Sequence, residues 1–329
     1  MKCNKPELLA PCGDQDAFKA AVENGADAVY LGGRLFNARQ FAANFDSEKL
    51  KEASDYAHVR AVNVYLAMNT LMSEGELGKA LEFLQEAYLA GIDGVIVQDL
   101  GFAALVRKAF PDLPLHASTQ MTIYNIEGVR TLEKIGFKRV VLARELSLEE
   151  IGSICTETGL EVEVFAHGAL CTGYSGQCLM SSIIGGRSGN RGKCAQPCRL
   201  PYELEGENPN RNSSINRGYY LSPKDLCTVG LLGEIAATGV KSLKIEGRMK
   251  SPEYVATVVR IYRKYLNRVF EKGKLSVKYA IDEQDLSDLL KIFNRGGFSE
   301  GYFKGKTGKD MMSYEKPKNW GVYLGDVIT

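Results

Sequence analysis

The chain is poor in the features by which many proteins announce their class. Its 329 residues include three histidines, and no apolar run approaches the ~20 residues that a membrane span requires. Forty-one Lys and Arg stand against 40 Asp and Glu, so there is no global charge, and any nucleic-acid surface must be a local patch. No charged, apolar, small-residue leader precedes Lys5-Pro6-Glu7-Leu8-Leu9. The expectation is therefore a cytoplasmic protein with reduced thiols and no membrane association. HExxH is absent, as are the paired CxxC knuckles of a zinc ribbon, and a chain of this size does not depend on cystine staples.

What it does have is cysteine in one place. Five of eight, Cys171, Cys178, Cys194, Cys198 and Cys227, fall in one glycine-rich region, and of the other three (Cys3, Cys12 and Cys155) Cys3 and Cys155 are read as ordinary residues that lie apart. In a reduced compartment such a gathering points to a metal or to catalysis rather than to bridges. Six residues separate Cys171 from Cys178 and three separate Cys194 from Cys198, which matches neither a zinc ribbon nor a ferredoxin run. Four thiolates brought together from loops can hold Zn2+ or an iron–sulfur cluster, and the spacing does not choose between them. The rival is a nucleophilic Cys171 or Cys178 paired with His167, which would leave the other thiols without a role.

An internal echo organises the rest. Gly25-Ala-Asp-Ala-Val-Tyr-Leu, Gly91-Ile-Asp-Gly-Val-Ile-Val, Gly136-Phe-Lys-Arg-Val-Val-Leu and Gly239-Val-Lys-Ser-Leu-Lys-Ile each set a glycine between a helical pattern and a β-rich apolar run. Such a glycine closes a helix in the left-handed region, and the run suits a parallel strand covered on both faces. Leu8–Pro11, Ala61–Leu66, Leu113–Ala117 and Val162–Ala166 bring the count to eight, with amphipathic helices such as Glu76–Ala90 and Asn125–Ile135 between. The prediction is an α/β fold, a (β/α)8 TIM-type barrel over residues 1–250, with an open doubly wound sheet as the competing architecture. The cysteine-rich insertion, 168–227, follows strand seven and carries a hairpin around Tyr202-Glu203-Leu204 and Tyr219-Tyr220-Leu221. It therefore hangs over the C-terminal mouth, where barrel enzymes build their sites. Residues 251–329 form a C-terminal extension, with a helix through Tyr254–Phe270 capped by Ser251-Pro252, a second near Asp282–Phe293, and the start of a small β domain at Trp320–Val327.

Strand ends carry the polar residues. His116, His167, Glu246 and Arg248 are the candidates for catalysis, and Asn69, Gln120 and Arg144 those for cofactor binding. Each has a plainer reading: Arg144-Glu145 and Glu246-Arg248 as ion pairs that close the barrel, the histidines as buried structural groups, His58 as a turn residue. Arg187, Arg191, Lys193, Arg199, Arg211 and Arg217, interleaved with Tyr174, Tyr202, Tyr219 and Tyr220, can hold phosphates and stack bases, or form a solvated loop.

Glu163-Val-Phe-Ala-His-Gly-Ala-Leu-Cys171, Tyr174-Ser-Gly-Gln-Cys-Leu-Met-Ser181, Arg187–Gly192, Cys194-Ala-Gln-Pro-Cys-Arg199, Ser222–Leu226 and Lys244-Ile-Glu-Gly-Arg248 resemble the signature of the collagenase-like peptidase family U32. Glu7–Pro11 and Gly25–Tyr30 extend the resemblance over essentially the whole chain. It implies either proteolysis or, through the family's RNA hydroxylation branch, modification of a tRNA wobble uridine or a 23S rRNA cytidine. It further implies a 4Fe-4S cluster (Zn2+ as the alternative), a prephenate-derived compound as a co-reactant, and a possible partner subunit of the same family. Carried over by position, Cys171, Cys178 and Cys194 are cluster ligands, Cys198 the fourth and Cys227 the reserve.

Overall fold

The computed structural model describes residues 5–40, 42–203, 217–305, 308–321 and 325. Cys3, Leu204, Arg211 and most of the expected C-terminal strand lie outside them. Eight parallel strands run β1 (Glu7–Pro11), β2 (Ala28–Gly32), β3 (Asn63–Met68), β4 (Gly94–Val97), β5 (Leu115–Ala117), β6 (Arg139–Val141), β7 (Glu161–Ala169) and an eighth, Ser242–Ile245. Each pairs with its predecessor, and the eighth pairs with both β7 and β1, so the sheet closes into the predicted barrel. All five residues of β2 are buried, because alternate side chains face the barrel interior and the surrounding helices.

The echo has a structural meaning. Gly25, Gly91, Gly136 and Gly239 all sit at positive φ, between +90° and +98°. In the first two units the aspartate two residues on accepts the backbone N–H that opens the preceding strand. Asp27 receives it from Leu8 at 2.8 Å and Asp93 from Val64 at 2.7 Å. His58 bonds the same Asp93 at 3.0 Å, a role confined to the barrel base.

The outer helices are set by caps and apolar faces. Gln15–Glu23 is capped by Asp14, whose carboxylate accepts from the Ala17 N–H, and it buries Ala17, Phe18, Ala21 and Val22. Glu74–Leu89 begins in a capping box between Ser73 and Glu76. Pro252–Val269 starts at Ser251 as expected, and it packs on Gln15–Glu23 and on β1, closing the ring of helices around the barrel. Its Arg263 donates to the Gly25 carbonyl at 2.7 Å. Tyr262 and Tyr265 on this helix are fully buried. No helix among the described residues is long and apolar enough to cross a membrane.

Candidate functional site

The barrel interior is polar at its base. Glu163, fully buried on β7, accepts from Lys244 Nζ at 2.8 Å, and Arg139 Nη1 lies 3.3 Å from its other oxygen. Arg139 also reaches Glu7 at 2.6 Å and Glu161 at 2.9 Å. Burial alone would raise the Glu163 carboxyl, but Lys244 and Arg139 outweigh it and hold it below the ordinary range. His116 belongs to this layer. It is paired in register with Arg139 at the start of β6, packed edge-on to Tyr65 at 4.6 Å between centroids, and buried, with its Nδ1 unbonded. Burial, reinforced by Arg139, pushes its pKa down to about 3.

The second histidine also departs from expectation. A register shift between Lys244 and Ile245 leaves His167 opposite Ile245, and its ring is boxed in by Tyr262, Tyr254 and Phe298. Its Nδ1 is 3.2 Å from the Tyr262 hydroxyl, and burial pushes its pKa down to about 3. The two histidines thus do not converge on the mouth. One is walled into the barrel base, and the other is packed against the C-terminal helix.

Glu246 and Arg248 do reach the mouth. Beyond the eighth strand, Glu246 pairs with Arg39 at 3.3 Å. Burial raises its carboxyl, and Arg39, Arg248, Arg144 and Lys244 together override that and hold it low. Arg248 is 3% exposed with Nη1 unbonded, and burial lowers its pKa to about 10. That guanidinium leans on Gly32, where a Cβ would stand 2.3 Å from Nη1 and 2.9 Å from Asn37 Cγ, so a side chain there would displace Arg248 and Asn37. Asn69 accepts from the Ala38 N–H at 3.1 Å and donates to Ser118 at 3.4 Å. Arg144 does not pair with Glu145 to close the barrel. Both hold Ser175 of the insertion instead, Arg144 through its N–H and Nε, Glu145 through Oε1.

Those contacts belong to a set that lays the insertion across the mouth. Gly176 at φ +75° sits where a Cβ would be 2.1 Å from the Gln120 carbonyl, and Gly192 at φ +73° does the same at 2.3 Å from the Asn37 carbonyl. Arg191 grips Glu76 of the capping box, whose carboxyl falls to about 2 through Arg191 and Ser73. Arg199 donates to the Leu170 and Pro223 carbonyls and to Ser222. Two of the cations expected to meet RNA are thereby committed inward, while Arg187, Lys193 and Arg217 stay on the exposed surface.

Every thiol among the described residues is free. Burial raises Cys198 to about 11; Arg199 opposes this, and Cys171, Cys194 and Cys178 add to it, so these four share one neighbourhood. Among the described residues no three His, Cys, Asp or Glu side chains are drawn into a metal-binding geometry. The chemistry of the set nevertheless fits a cationic group, since four neighbouring thiolates repel one another unless positive charge lies between them. Gly173 packs against Cys178, with a Cβ position 2.8 Å from the cysteine Cβ, and the Gln196 N–H points at Cys194 Sγ from 3.4 Å. Cys227 lies elsewhere. It sits opposite His167 in an antiparallel strand, Asp225–Cys227, 3.9 Å from the Tyr262 hydroxyl, and burial pushes it up to about 11.

One group escaped the sequence reading. Lys250, two residues past Arg248, lies over the Phe293 ring at 2.7 Å from its centroid. Burial, with Arg295, lowers its pKa to about 7. Beside it Asp225 is 2% exposed and ion-paired with Arg295. No sequence signal marks Lys250, because Phe293, Arg295 and Asp225, which bury it, lie 25 to 45 residues away in the chain.

The model of Peptidase family U32 matches residues 13–313. The chain is 38% identical over 325 residues to the 23S rRNA 5-hydroxycytidine C2501 synthase of Escherichia coli, covering 98% of this chain and 48% of that protein. It is 36% identical to tRNA hydroxylation protein P1 of Bacillus subtilis, covering 92% and 72%. It is also 34% identical to a collagenase of Porphyromonas gingivalis, covering 93% and 75%. The chain therefore spans about half the length of the Escherichia coli synthase and about three quarters of the other two. With the signature motifs folded around one barrel mouth and the family model covering all but the two ends, the chain belongs to Peptidase family U32.

Proposed function

We propose that this protein is an RNA-modifying enzyme that hydroxylates a pyrimidine base, and that Cys171, Cys178, Cys194 and Cys198 hold a 4Fe-4S cluster for it. The observation that carries the reading is a four-thiol insertion pinned across a barrel mouth in which one carboxylate, Glu246, faces Arg39, Arg144 and Arg248. A cluster there would supply electron transfer beside the substrate. The protein's own residues bind and orient. Arg248, buried with an unbonded Nη1, is suited to a carboxylate such as that of a prephenate-derived co-reactant, with Arg144 facing the same Glu246 and Asn69 holding the Ala38 backbone. Arg187, Lys193, Arg217 and the exposed Tyr174 offer phosphate and stacking contacts for a single-stranded RNA segment.

The relatives named for rRNA and tRNA hydroxylation support this reading. The collagenase-like reading asks for an activated nucleophile, and the geometry offers little to build one: His167 is turned to Tyr262, and the Cys227 opposite it is buried with a raised pKa. A cytoplasmic location and a partner subunit of the same family accord with RNA chemistry. Nucleoside mass spectrometry of tRNA and rRNA from a strain deleted for the gene tests the proposal: one hydroxylated pyrimidine should vanish. An unchanged nucleoside profile would overturn it.

A further inference from the structure

Lys250 stands just past the eighth strand, at the C-terminal end of the barrel, and the chemistry proposed above leaves it without a task. Its backbone N–H is spent on the Gly247 carbonyl at 2.8 Å, and the next residue, Ser251, caps Pro252–Val269, so its place is fixed. The side chain is half-buried. Among the described residues its Nζ makes no hydrogen bond and no ion pair, yet it reaches solvent.

The surroundings are short of negative charge. The Phe293 ring carries Lys250 Nζ at 2.7 Å from its centroid and Arg295 Cζ at 4.8 Å, so two basic groups share one ring. Asp225 is bonded to Arg295 Nη1 and lies within electrostatic range of Lys250 and Arg199 as well, one carboxylate among three basic groups. Arg295 spends Nε on the Pro317 carbonyl and Nη1 on Asp225, which leaves Nη2 without a partner among the described residues. Glu246 also faces the amine but is paired with Arg39. His167 and Tyr254, the other titratable groups against it, are buried and uncharged.

Burial, with Arg295, brings the amine down to about 7, so much of it is unprotonated in neutral solution and able to act as a nucleophile. What it does there is decided by the charge of the product. Proton uptake, or a protonated imine with a carbonyl compound, would each set a third cation beside Arg295 and Arg199. Addition to carbon dioxide sets an anion there instead.

We propose that Lys250 is a carbon dioxide acceptor, whose Nζ forms a carbamate with Arg295 as its counter-ion. The Nζ lone pair bonds to the carbon of CO2, one C–O π pair moves onto oxygen, and an N–H proton passes to water; nothing is oxidised or reduced. The assignment does not rest on the RNA-hydroxylation reading.

The test equilibrates the protein, labelled with 15N-lysine, with 13C-bicarbonate at pH 8, above the amine's value of about 7. A carbonyl resonance coupled through one bond to a lysine nitrogen is expected, and Lys250→Arg should lose it. Trapping with triethyloxonium followed by peptide mass spectrometry should place the ethyl carbamate on Lys250. Added glycylglycine, an α-amine of pKa about 8, is the reference for basicity alone. The carbamate constant at Lys250 should exceed that of the dipeptide roughly tenfold, the gain expected from one hydrogen bond to a charged group. Equal constants overturn the proposal, because a low pKa without a counter-ion gives that result. A 13C signal without nitrogen coupling also overturns it, since that is bound bicarbonate. If urea titration shows that Lys250→Arg does not fold, the trapped wild-type peptide decides the position, and label on other lysines only is refutation.

Discussion

Replacing Lys244 with methionine keeps the length of the side chain and removes its charge from the barrel base. Glu163 is fully buried, with Lys244 Nζ at 2.8 Å and Arg139 Nη1 at 3.3 Å. Breaking a buried pair by deleting one partner costs about 3–5 kcal/mol, because the remaining charge is stranded. Arg139 stays within reach but is shared with Glu7 and Glu161, so about 3 kcal/mol is expected here at pH 7. In the wild type the Glu163 pKa is depressed in the folded state. Its contribution is therefore present above the unfolded carboxylate value and lost as pH falls through the lower folded one. Lys244→Met reverses the sign. With burial less opposed, Glu163 takes up a proton on folding, and the variant's deficit shrinks as pH is lowered toward about 5. Urea titrations followed by circular dichroism at pH 7 and pH 5 measure both quantities. A further Glu163→Gln change in the same chain should recover much of the loss. A deficit below about 1 kcal/mol at pH 7, or one that does not change with pH, would refute the account of the base as a coupled charge cluster.

Anaerobically prepared protein should be brown, with iron and sulfide near four each per chain, and Cys171→Ala with Cys178→Ala should abolish both; Cys227→Ala should leave the absorbance in place. Gly176→Ala adds a Cβ 2.1 Å from the Gln120 carbonyl at a positive φ, so protease nicking of the insertion should rise while the barrel's own unfolding moves little. Lys250, with its pKa down to about 7, should be acylated at pH 8 well ahead of the surface lysines, as read by peptide mass spectrometry; equal labelling would contradict its burial beside Arg295. Arg191→Ala removes the grip on Glu76, and since that pair is about one third exposed it should cost no more than about 1 kcal/mol, seen as faster hydrogen exchange in residues 188–193.

The barrel was legible because its signals are local. A glycine that must adopt positive φ, followed by a run apolar on both faces, is written in adjacent letters, and the four echoes fall at four strand starts. Strand ends carrying polar groups were legible for the same reason. Which way each group turns was not. His116 is paired in register with Arg139 and packs into the charged layer at the base, and His167 is carried to the outer face by a register shift that no composition signal announces. The pairing of Arg144 and Glu145 with Ser175 depends on where a loop thirty residues on comes to rest.

The fourth thiol shows the same limit most sharply. Cys198 and Cys227 are equivalent by count, and chain spacing puts both within reach of the others. What separates them is strand geometry. Asp225–Cys227 pairs antiparallel with the end of β7, which sets Cys227 across from His167 and next to Tyr262, in a layer closed by the C-terminal helix. Cys198 instead follows Gln196 at φ +57° and Pro197 in a 3-10 turn, which brings its thiol within electrostatic range of Cys171, Cys178 and Cys194. Substituting each alone under identical anaerobic preparation therefore discriminates. Cys198→Ala should lose the cluster absorbance, or leave a three-iron species; Cys227→Ala should lose some stability from the packing around Tyr262 and none of the iron. The opposite pattern would mean that the strand holding Cys227 detaches from β7 to serve the cluster.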